Sequence, residues 1–199
     1  MNFEHTEDRR MLADTLNRFI AEQAGIEARH AAAASAQGYS TTNWNGLADI
    51  GAIGALFPEA DGGFGGDGFD VAVVFEALGR GLVIEPFLGA LVVGRAIAAG
   101  GSETQKVQLT PLMEGGLVAA LAHDEADAHY ELAHVKTRAV RSGNGWTLSG
   151  RKAVVVHGEQ AGLLLVSART GGDTGDEAGI SLFLVPGDAA GIQKNGYAR

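Results

Sequence analysis

The chain has 199 residues, a formal net charge of −9 and no cysteine, and 46% of its residues are hydrophobic. This length and composition are typical of a globular protein with one large domain or two small ones. The negative charge argues against binding to nucleic acid or to anionic membrane surfaces, because both require basic patches. The absence of cysteine excludes disulfides, thiolate nucleophiles and zinc–thiolate sites, and it favours a cytoplasmic location.

No segment of the sequence resembles a targeting or membrane-spanning segment. The first residues, Met1–His5, contain neither the basic nor the apolar stretch of a signal peptide. The longest apolar run without charges, Pro86–Gly94, is shorter than the roughly 20 residues that a bilayer-spanning helix needs. This run therefore predicts a buried helix.

Helix signals fill the chain up to about residue 116. Thr6 is a predicted N-cap with Glu7 and Asp8 in the first turn, and apolar residues then recur at helical spacing from Met11 to Ile20. Further helices are predicted from Thr42 through Ile50, over Phe69–Leu78, over Phe87–Ala99 and from the capping box that begins at Ser102, with Pro111 as a break.

After Gly116 the pattern changes to short runs rich in valine and leucine, separated by turn residues. The predicted strands are Leu117–Ala122, Ala133–Arg141, Trp146–Leu148, Ala153–Val156, Leu163–Ser167 and Ile180–Val185. Thr170–Ala178 is predicted to be a mobile hairpin loop. We therefore predict an α+β fold, with an all-helical domain over residues 1–115 and a mostly antiparallel β domain over residues 116–199.

A glycine-rich stretch leaves one alternative fold open. Gly63–Gly68 matches the G-x-G-x-x-G pattern of dinucleotide-binding folds, and Glu85 follows about twenty residues later. That pattern should follow a strand and open a βαβ unit, whereas further βαβ units are not predicted downstream. The competing interpretation is a glycine-rich loop between two helices.

A dense group of ionisable residues suggests a second alternative, a divalent metal site. The group comprises His123, Asp124, Glu125, Asp127, His129 and His134. It lacks the helix-spaced histidine pair with a nearby glutamate that marks zinc hydrolases. We favour a solvated acidic loop between strands and predict no metal site.

Four stretches together resemble the acyl-CoA dehydrogenase family. Lys136–Lys152 combines a Lys-Thr pair, a Gly-Asn-Gly turn and the sequence Leu-Ser-Gly-Arg-Lys, which is similar to the middle β domain of that family. The other matching stretches are Leu56–Gly66, Gly101–Gly115 and Leu182–Ile192. Leu121–Glu125 looks closest to small subunits of pimeloyl-CoA dehydrogenase-like enzymes.

The resemblance implies FAD-dependent α,β-desaturation of an acyl-CoA thioester, in which a glutamate takes the α-proton and the flavin takes the β-hydride. It also implies a barrel-like β domain, homo- or hetero-oligomers with an acyl-CoA dehydrogenase subunit, and an electron-transfer flavoprotein or similar acceptor. The family's catalytic glutamate lies in a C-terminal four-helix domain, which we expect beyond Arg199. No catalytic residue is therefore nominated, and the 199-residue chain alone is predicted to be inactive.

The resemblance also places the flavin contacts. The family's Thr-Glu-Pro falls on Asp124-Glu125-Ala126, its Gly-Ser-Asp on residues 129–131, and its Trp-Ile-Thr on residues 154–156. The predicted cofactor-binding residues are His123, Asp124, Glu125, Tyr130, Val154 and Val156. Valines replace the tryptophan ring and the threonine hydroxyl, which favours an alternative function as a non-catalytic subunit that completes a partner's site. Arg151 and Lys152 are predicted to form a solvated hairpin turn.

Overall fold

The computed structural model describes residues 4–197, which fall into two compact units. The first unit ends at Val118, and the second covers Ala119–Asn195. The helices lie before this division and the strands lie after it. None of the helices in the described residues is both long and apolar enough to cross a membrane.

The first unit is helical, as predicted. Its helices are α1 (Glu7–Gln23), α2 (Ile26–Ala33), α3 (Thr41–Asp49), α4 (Gly68–Arg80), α5 (Phe87–Gly100), α6 (Glu103–Lys106) and α7 (Leu109–Met113), with 3₁₀ turns at Gly54–Leu56 and Glu59–Asp61. The predicted N-cap is confirmed, because the Thr6 hydroxyl accepts a hydrogen bond from Arg9 N at 3.3 Å. Helix α2 was missed because its sequence is mostly alanine and charged residues, and Ala32 is its one fully buried position.

The core of the first unit is built around aromatic side chains. Trp44 on α3 packs edge-on against Phe87 on α5, with ring centroids 5.3 Å apart. Its indole Nε1 donates a hydrogen bond to Gly115 O at 2.8 Å. Trp44 is therefore a packing residue of this core.

The glycine-rich stretch is a loop, so the dinucleotide interpretation is wrong. The 3₁₀ turn at Glu59–Asp61 precedes it and α4 follows it, where a dinucleotide fold would place a strand before the helix. A Cβ at Gly63 would lie 2.2 Å from Phe57 O, so the loop packs too closely against the chain for any side chain there.

The second unit contains a five-stranded mixed sheet. Its strands are β1 (Ala119–Ala122), β2 (Arg138–Ser142), β3 (Gly145–Ser149), β4 (Leu163–Arg169) and β5 (Ile180–Pro186). Strand β4 is central: β5 pairs antiparallel along its whole length, and β1 pairs in parallel with its first residues. Strand β2 is antiparallel to β3 and meets β4 through the pair Arg138 and Arg169. We predicted a mostly antiparallel, barrel-like domain, and the parallel β1–β4 pairing makes the sheet mixed.

One predicted strand is absent, and one loop is more ordered than predicted. Ala153–Val156 is irregular, and Val154 has φ +52°, which a strand does not allow. Thr170–Ala178 connects β4 and β5 as predicted, but the Arg169 guanidinium bonds to its carbonyl groups. The loop is therefore fixed from inside the protein.

Candidate functional site

A buried ion pair joins the two segments that the family resemblance assigns to the flavin. Lys152 Nζ lies 2.9 Å from Glu125 Oε1, and the two side chains are only 9% and 4% exposed. The same ammonium donates to His123 O at 2.9 Å and to Ser167 Oγ at 3.0 Å. The prediction that Lys152 lies in a solvated turn is therefore wrong, because the side chain folds back into the second unit.

The Glu125 carboxylate is surrounded by donors. Oε2 accepts from Lys136 N at 2.8 Å, and Oε1 accepts from Thr137 N at 2.9 Å and from Thr137 Oγ1 at 2.7 Å, in addition to Lys152. Burial acts to raise the pKa of Glu125, but the hydrogen bonds from Thr137, Lys152 and Lys136 outweigh it and lower the pKa from 4.5 to about 2. Burial lowers the pKa of Lys152, and the bond to Glu125 opposes that change.

This pKa predicts acid sensitivity of the second unit. A carboxyl group with a lowered pKa stabilises the fold above its unfolded value of 4.5, and the stabilisation is lost as the pH falls towards 2. We expect a loss on the order of 3 kcal/mol over this range, measured by urea unfolding at a series of pH values. In the Glu125→Gln variant the free energy of unfolding should depend less on pH over this range. Equal pH dependence in the two proteins would contradict the lowered pKa of Glu125.

A main-chain bond also brings the two segments together. Ala153 N donates to Asp124 O at 2.8 Å, next to the ion pair. Residues 123–125 and 152–153 are therefore in direct contact.

Backbone strain is concentrated in the same two segments, residues 123–131 and 152–157. The described residues include five non-glycine positions with positive φ, and four of them lie here. These four are His129, Tyr130, Val154 and His157. Left-handed conformations cost about 1–3 kcal/mol each for such residues and cluster at ligand sites, so the strain marks this region as a candidate site.

The predicted cofactor-binding residues divide into an outer and an inner group. Tyr130, Val154 and Val156 expose 95%, 64% and 51% of their surface, and Asp124 is also exposed. His123 is half-buried, with Nδ1 2.9 Å from Ser167 Oγ. The Glu125 side chain points inward and its carboxylate is fully hydrogen-bonded, so it holds the segment in place.

Ser167 was not predicted as a member of this cluster, because it lies in an apolar strand. The pairing of Glu125 with Lys152, two residues after the glycine that follows β3, was not predicted either. Gly150 shows why that glycine is present: a Cβ there would lie 2.4 Å from Thr137 Oγ1 and 2.6 Å from Thr137 Cα. The end of β3 thus packs directly against the residue that donates to Glu125.

Replacing Gly150 with alanine should disturb this packing. We expect the free energy of unfolding to fall by about 1–3 kcal/mol, because the added methyl group has no room beside the Thr137 backbone. Gly171→Ala is a matched control, since a Cβ at Gly171 meets nothing within 4 Å. Urea unfolding of both variants checks the prediction, and equal stabilities would contradict it.

Several of the ionisable residues between 123 and 134, which suggested a metal site, form ion pairs within the protein. Glu125 pairs with Lys152, and Asp127 pairs with Lys136 Nζ. His134 Nε2 lies 3.6 Å from Asp127 Oδ1. Within residues 4–197, no group of three or more His, Asp or Glu side chains is arranged to hold a metal ion.

Comparisons with known proteins match both units. The family model of the acyl-CoA dehydrogenase N-terminal domain matches residues 6–116, and that of the middle domain matches residues 120–197. The mitochondrial long-chain specific acyl-CoA dehydrogenase of Rattus norvegicus is 34% identical over 155 residues, which are 76% of this chain and 36% of that protein. The (2S)-methylsuccinyl-CoA dehydrogenase of Cereibacter sphaeroides is 33% identical over 150 residues, which are 72% and 27% of the two chains.

Solved structures show the same fold. In the ChsE4–ChsE5 complex from Mycobacterium tuberculosis, the matched chain has a TM-score of 0.82 and 26% identity, over 97% of this chain and 50% of that one. The present chain thus spans about half or less of the length of the relatives named here. The chain matches the N-terminal and middle domains in the predicted order, and it therefore belongs to the acyl-CoA dehydrogenase family.

Proposed function

We propose that this chain supplies the N-terminal and middle domains of an FAD-dependent acyl-CoA dehydrogenase. The observation that carries the proposal is the pairing of two strained, exposed segments, residues 123–131 and 152–157, through the Lys152–Glu125 ion pair. These are the segments to which the family resemblance assigns the flavin. When bound, FAD would accept the hydride removed from the acyl chain.

The residues present fit the flat, apolar part of a flavin. Val154, Val156 and Tyr130 offer exposed apolar surface, and apolar surface is what a stacked ring system buries. We propose that His123 and Asp124 supply polar contacts at the edge of this surface. Glu125 is a positioning residue in this proposal, because its carboxylate is occupied by Lys152, Thr137 and Lys136.

A titration with FAD tests this proposal. We expect wild-type protein to bind FAD, seen as a flavin absorption band that remains with the protein after gel filtration. Val156→Glu should weaken binding about tenfold or more, because it places a charge against the ring. Val140→Glu on β2 is the matched control, since Val140 is 64% exposed but lies outside both segments. Equal affinity of the two variants would overturn the placement of the flavin.

The catalytic base is proposed to come from outside the two matched domains. In the family the base is a glutamate of the C-terminal helical domain. We therefore expect the 199-residue chain alone to show negligible dehydrogenation of acyl-CoA substrates. We propose that activity appears when a second acyl-CoA dehydrogenase subunit completes the site, with an electron-transfer flavoprotein or similar carrier as acceptor. Turnover by the pure chain would contradict this.

A second candidate function is a structural subunit that does not bind flavin itself. Two observations favour it: valine side chains at residues 154 and 156 offer no hydrogen bond, and the nearby ammonium and carboxylate neutralise each other. A protein that stays colourless with added FAD, yet co-purifies with a longer homologous chain, supports this function. ChsE4 and ChsE5 from Mycobacterium tuberculosis form a complex.

We propose an acyl-CoA thioester as substrate, a cytoplasmic location, and a similarity to pimeloyl-CoA dehydrogenase small subunits based on Leu121–Glu125. A panel of acyl-CoA esters, assayed with the completed assembly, distinguishes a dicarboxylic substrate from a fatty one.

A further inference from the structure

The hydrogen bonds of Lys152 define the direction of the hydrogen bond between Ser167 and His123. An ammonium group has three N–H donors and no acceptor. Lys152 directs these donors at His123 O, Glu125 Oε1 and Ser167 Oγ, at 2.9, 2.9 and 3.0 Å. Ser167 Oγ therefore accepts a hydrogen bond from Lys152.

The hydroxyl hydrogen of Ser167 then has one acceptor. Ser167 is fully buried, and within the described part of the chain its Oγ lies in hydrogen-bond range of two side chains, Lys152 and His123. Lys152 cannot accept, so the hydroxyl donates to His123 Nδ1 at 2.9 Å. The opposite arrangement, with Nδ1–H donating, would leave a buried hydroxyl hydrogen without a partner, which costs about 1–3 kcal/mol.

We infer that Ser167 and Lys152 hold His123 as the neutral tautomer with its proton on Nε2, so that His123 offers a ligand a hydrogen-bond donor and not a base. The neutral imidazole has one donor and one acceptor nitrogen, and Ser167 uses the acceptor. A ring nitrogen that is already accepting a bond can neither remove a proton from a substrate nor bind a metal. The remaining Nε2–H matches a carbonyl or phosphate oxygen.

The inference on the tautomer is independent of the proposed function, whereas the use of Nε2–H towards bound FAD depends on it. Residues 123–125 lie against Ala153 through the bond to Asp124 O, so the imidazole belongs to the segment proposed to meet the flavin. An Nε2–H donor there would contact an oxygen or a lone-pair nitrogen of the cofactor.

Nitrogen-15 NMR of the protein without ligand tests the tautomer. We expect the Nδ1 of His123 to have the chemical shift of an unprotonated nitrogen and Nε2 that of a protonated one. The Ser167 hydroxyl proton should exchange slowly with water. In Ser167→Ala the two nitrogen shifts should move towards each other as both tautomers become populated. Ser181→Ala on β5 is the control, because the Ser181 hydroxyl is hydrogen-bonded to Thr170 Oγ1 at 3.2 Å. It should leave the nitrogen shifts of His123 unchanged. A proton on Nδ1 in the wild-type protein would overturn the inference.

A second experiment tests the donor role. His123→Gln keeps an N–H donor and should bind FAD within about threefold of wild type, whereas His123→Leu should bind about tenfold more weakly. Equal affinities for these two variants would overturn the donor role. If the wild-type protein binds no FAD, the proposed function fails and with it the donor role towards FAD, while the NMR result still decides the tautomer.

Discussion

Replacing Lys152 with methionine is expected to lower the free energy of unfolding of the second unit by about 3–5 kcal/mol. Methionine fills a similar volume, so the loss is mainly electrostatic. The Glu125 carboxylate stays buried with 4% of its side chain exposed, and it loses its only charged partner among the described residues. Ser167 Oγ and His123 O also lose a donor. Urea unfolding followed by Trp146 fluorescence, in a Trp44→Phe background, measures the loss within the second unit.

An exposed ion pair provides the matched control. Arg80 and Glu76 on α4 are 2.6 Å apart, closer than the buried pair, but both side chains are 63% exposed. Arg80→Met should cost less than about 1 kcal/mol, because water replaces the lost partner. The comparison separates burial from distance as the cause of the effect.

A double variant shows how much of the loss belongs to the pair itself. The double variant Lys152→Met with Glu125→Gln should lose less free energy of unfolding than the two single variants lose in sum. We expect a difference of about 1–3 kcal/mol. Simple additivity would mean that the two groups do not interact, and it would remove the basis for treating the ion pair as the connection between the two segments.

The fold could be predicted from the sequence because local patterns agree with it. The apolar spacing between Met11 and Ile20, the capping box at Ser102 and the runs of valine and leucine after Gly116 each specify an element by themselves. Helix α2 lacks such a pattern, and it forms because Ala32 packs into the core. The prediction of a strand at Ala153–Val156 was wrong because contacts with distant residues decide the conformation of this segment. Its sequence favours a strand, but the ion pair of Lys152 and the bond between Ala153 and Asp124 hold it in an irregular conformation.

The candidate site was harder to predict, because it depends on contacts between residues far apart in the chain. The family resemblance predicted two segments for the flavin, and the structure joins them through the Glu125–Lys152 pair, whereas Lys152 was predicted to lie in a solvated turn. Nothing local distinguishes a buried carboxylate from an exposed one. The difference arises from the adjacent residues Lys136 and Thr137 and from the distant Lys152, which meet at Glu125. Ser167 could not be recognised for the same reason.

Arg169 is a second buried cation in the described part of the second unit, and it binds the chain just before Lys136 and Thr137. The side chain lies at the end of β4 and is 1% exposed. Its five N–H groups lie within hydrogen-bond range of six main-chain carbonyl oxygens, so at least one N–H is shared between two acceptors. The acceptors are Ala133, Val135, Gly171, Thr174, Asp176 and Ala178. One of them, Val135, immediately precedes Lys136 and Thr137, the residues whose N–H groups hold Glu125, and Ala133 lies two residues before Val135.

Replacing Arg169 with methionine is expected to destabilise the second unit by about 3 kcal/mol or more. Each net hydrogen bond contributes about 0.5–1.5 kcal/mol, and buried carbonyls without donors add a further cost, whereas removal of a buried charge offsets part of the loss. Arg169→Lys should recover little, because one ammonium cannot reach carbonyls that a planar guanidinium contacts on several sides. Arg138→Met is the matched control, since Arg138 pairs with Arg169 across the sheet but is exposed.

The loss of stability in Arg169→Met should also be local. This distinguishes Arg169 from a residue that only fills space. Without its guanidinium, the loop at residues 170–178 loses its bonds to Arg169, and the bond from Val135 N to Thr174 O loses its support. We expect faster hydrogen exchange and new proteolytic cleavage in this loop, together with faster exchange of the Lys136 and Thr137 amides. Because those amides bind Glu125, the variant should also raise the pKa of Glu125 and shift acid unfolding of the second unit to higher pH. Unchanged exchange at residues 136 and 137 would show that Glu125 and Arg169 act independently on the segment between them.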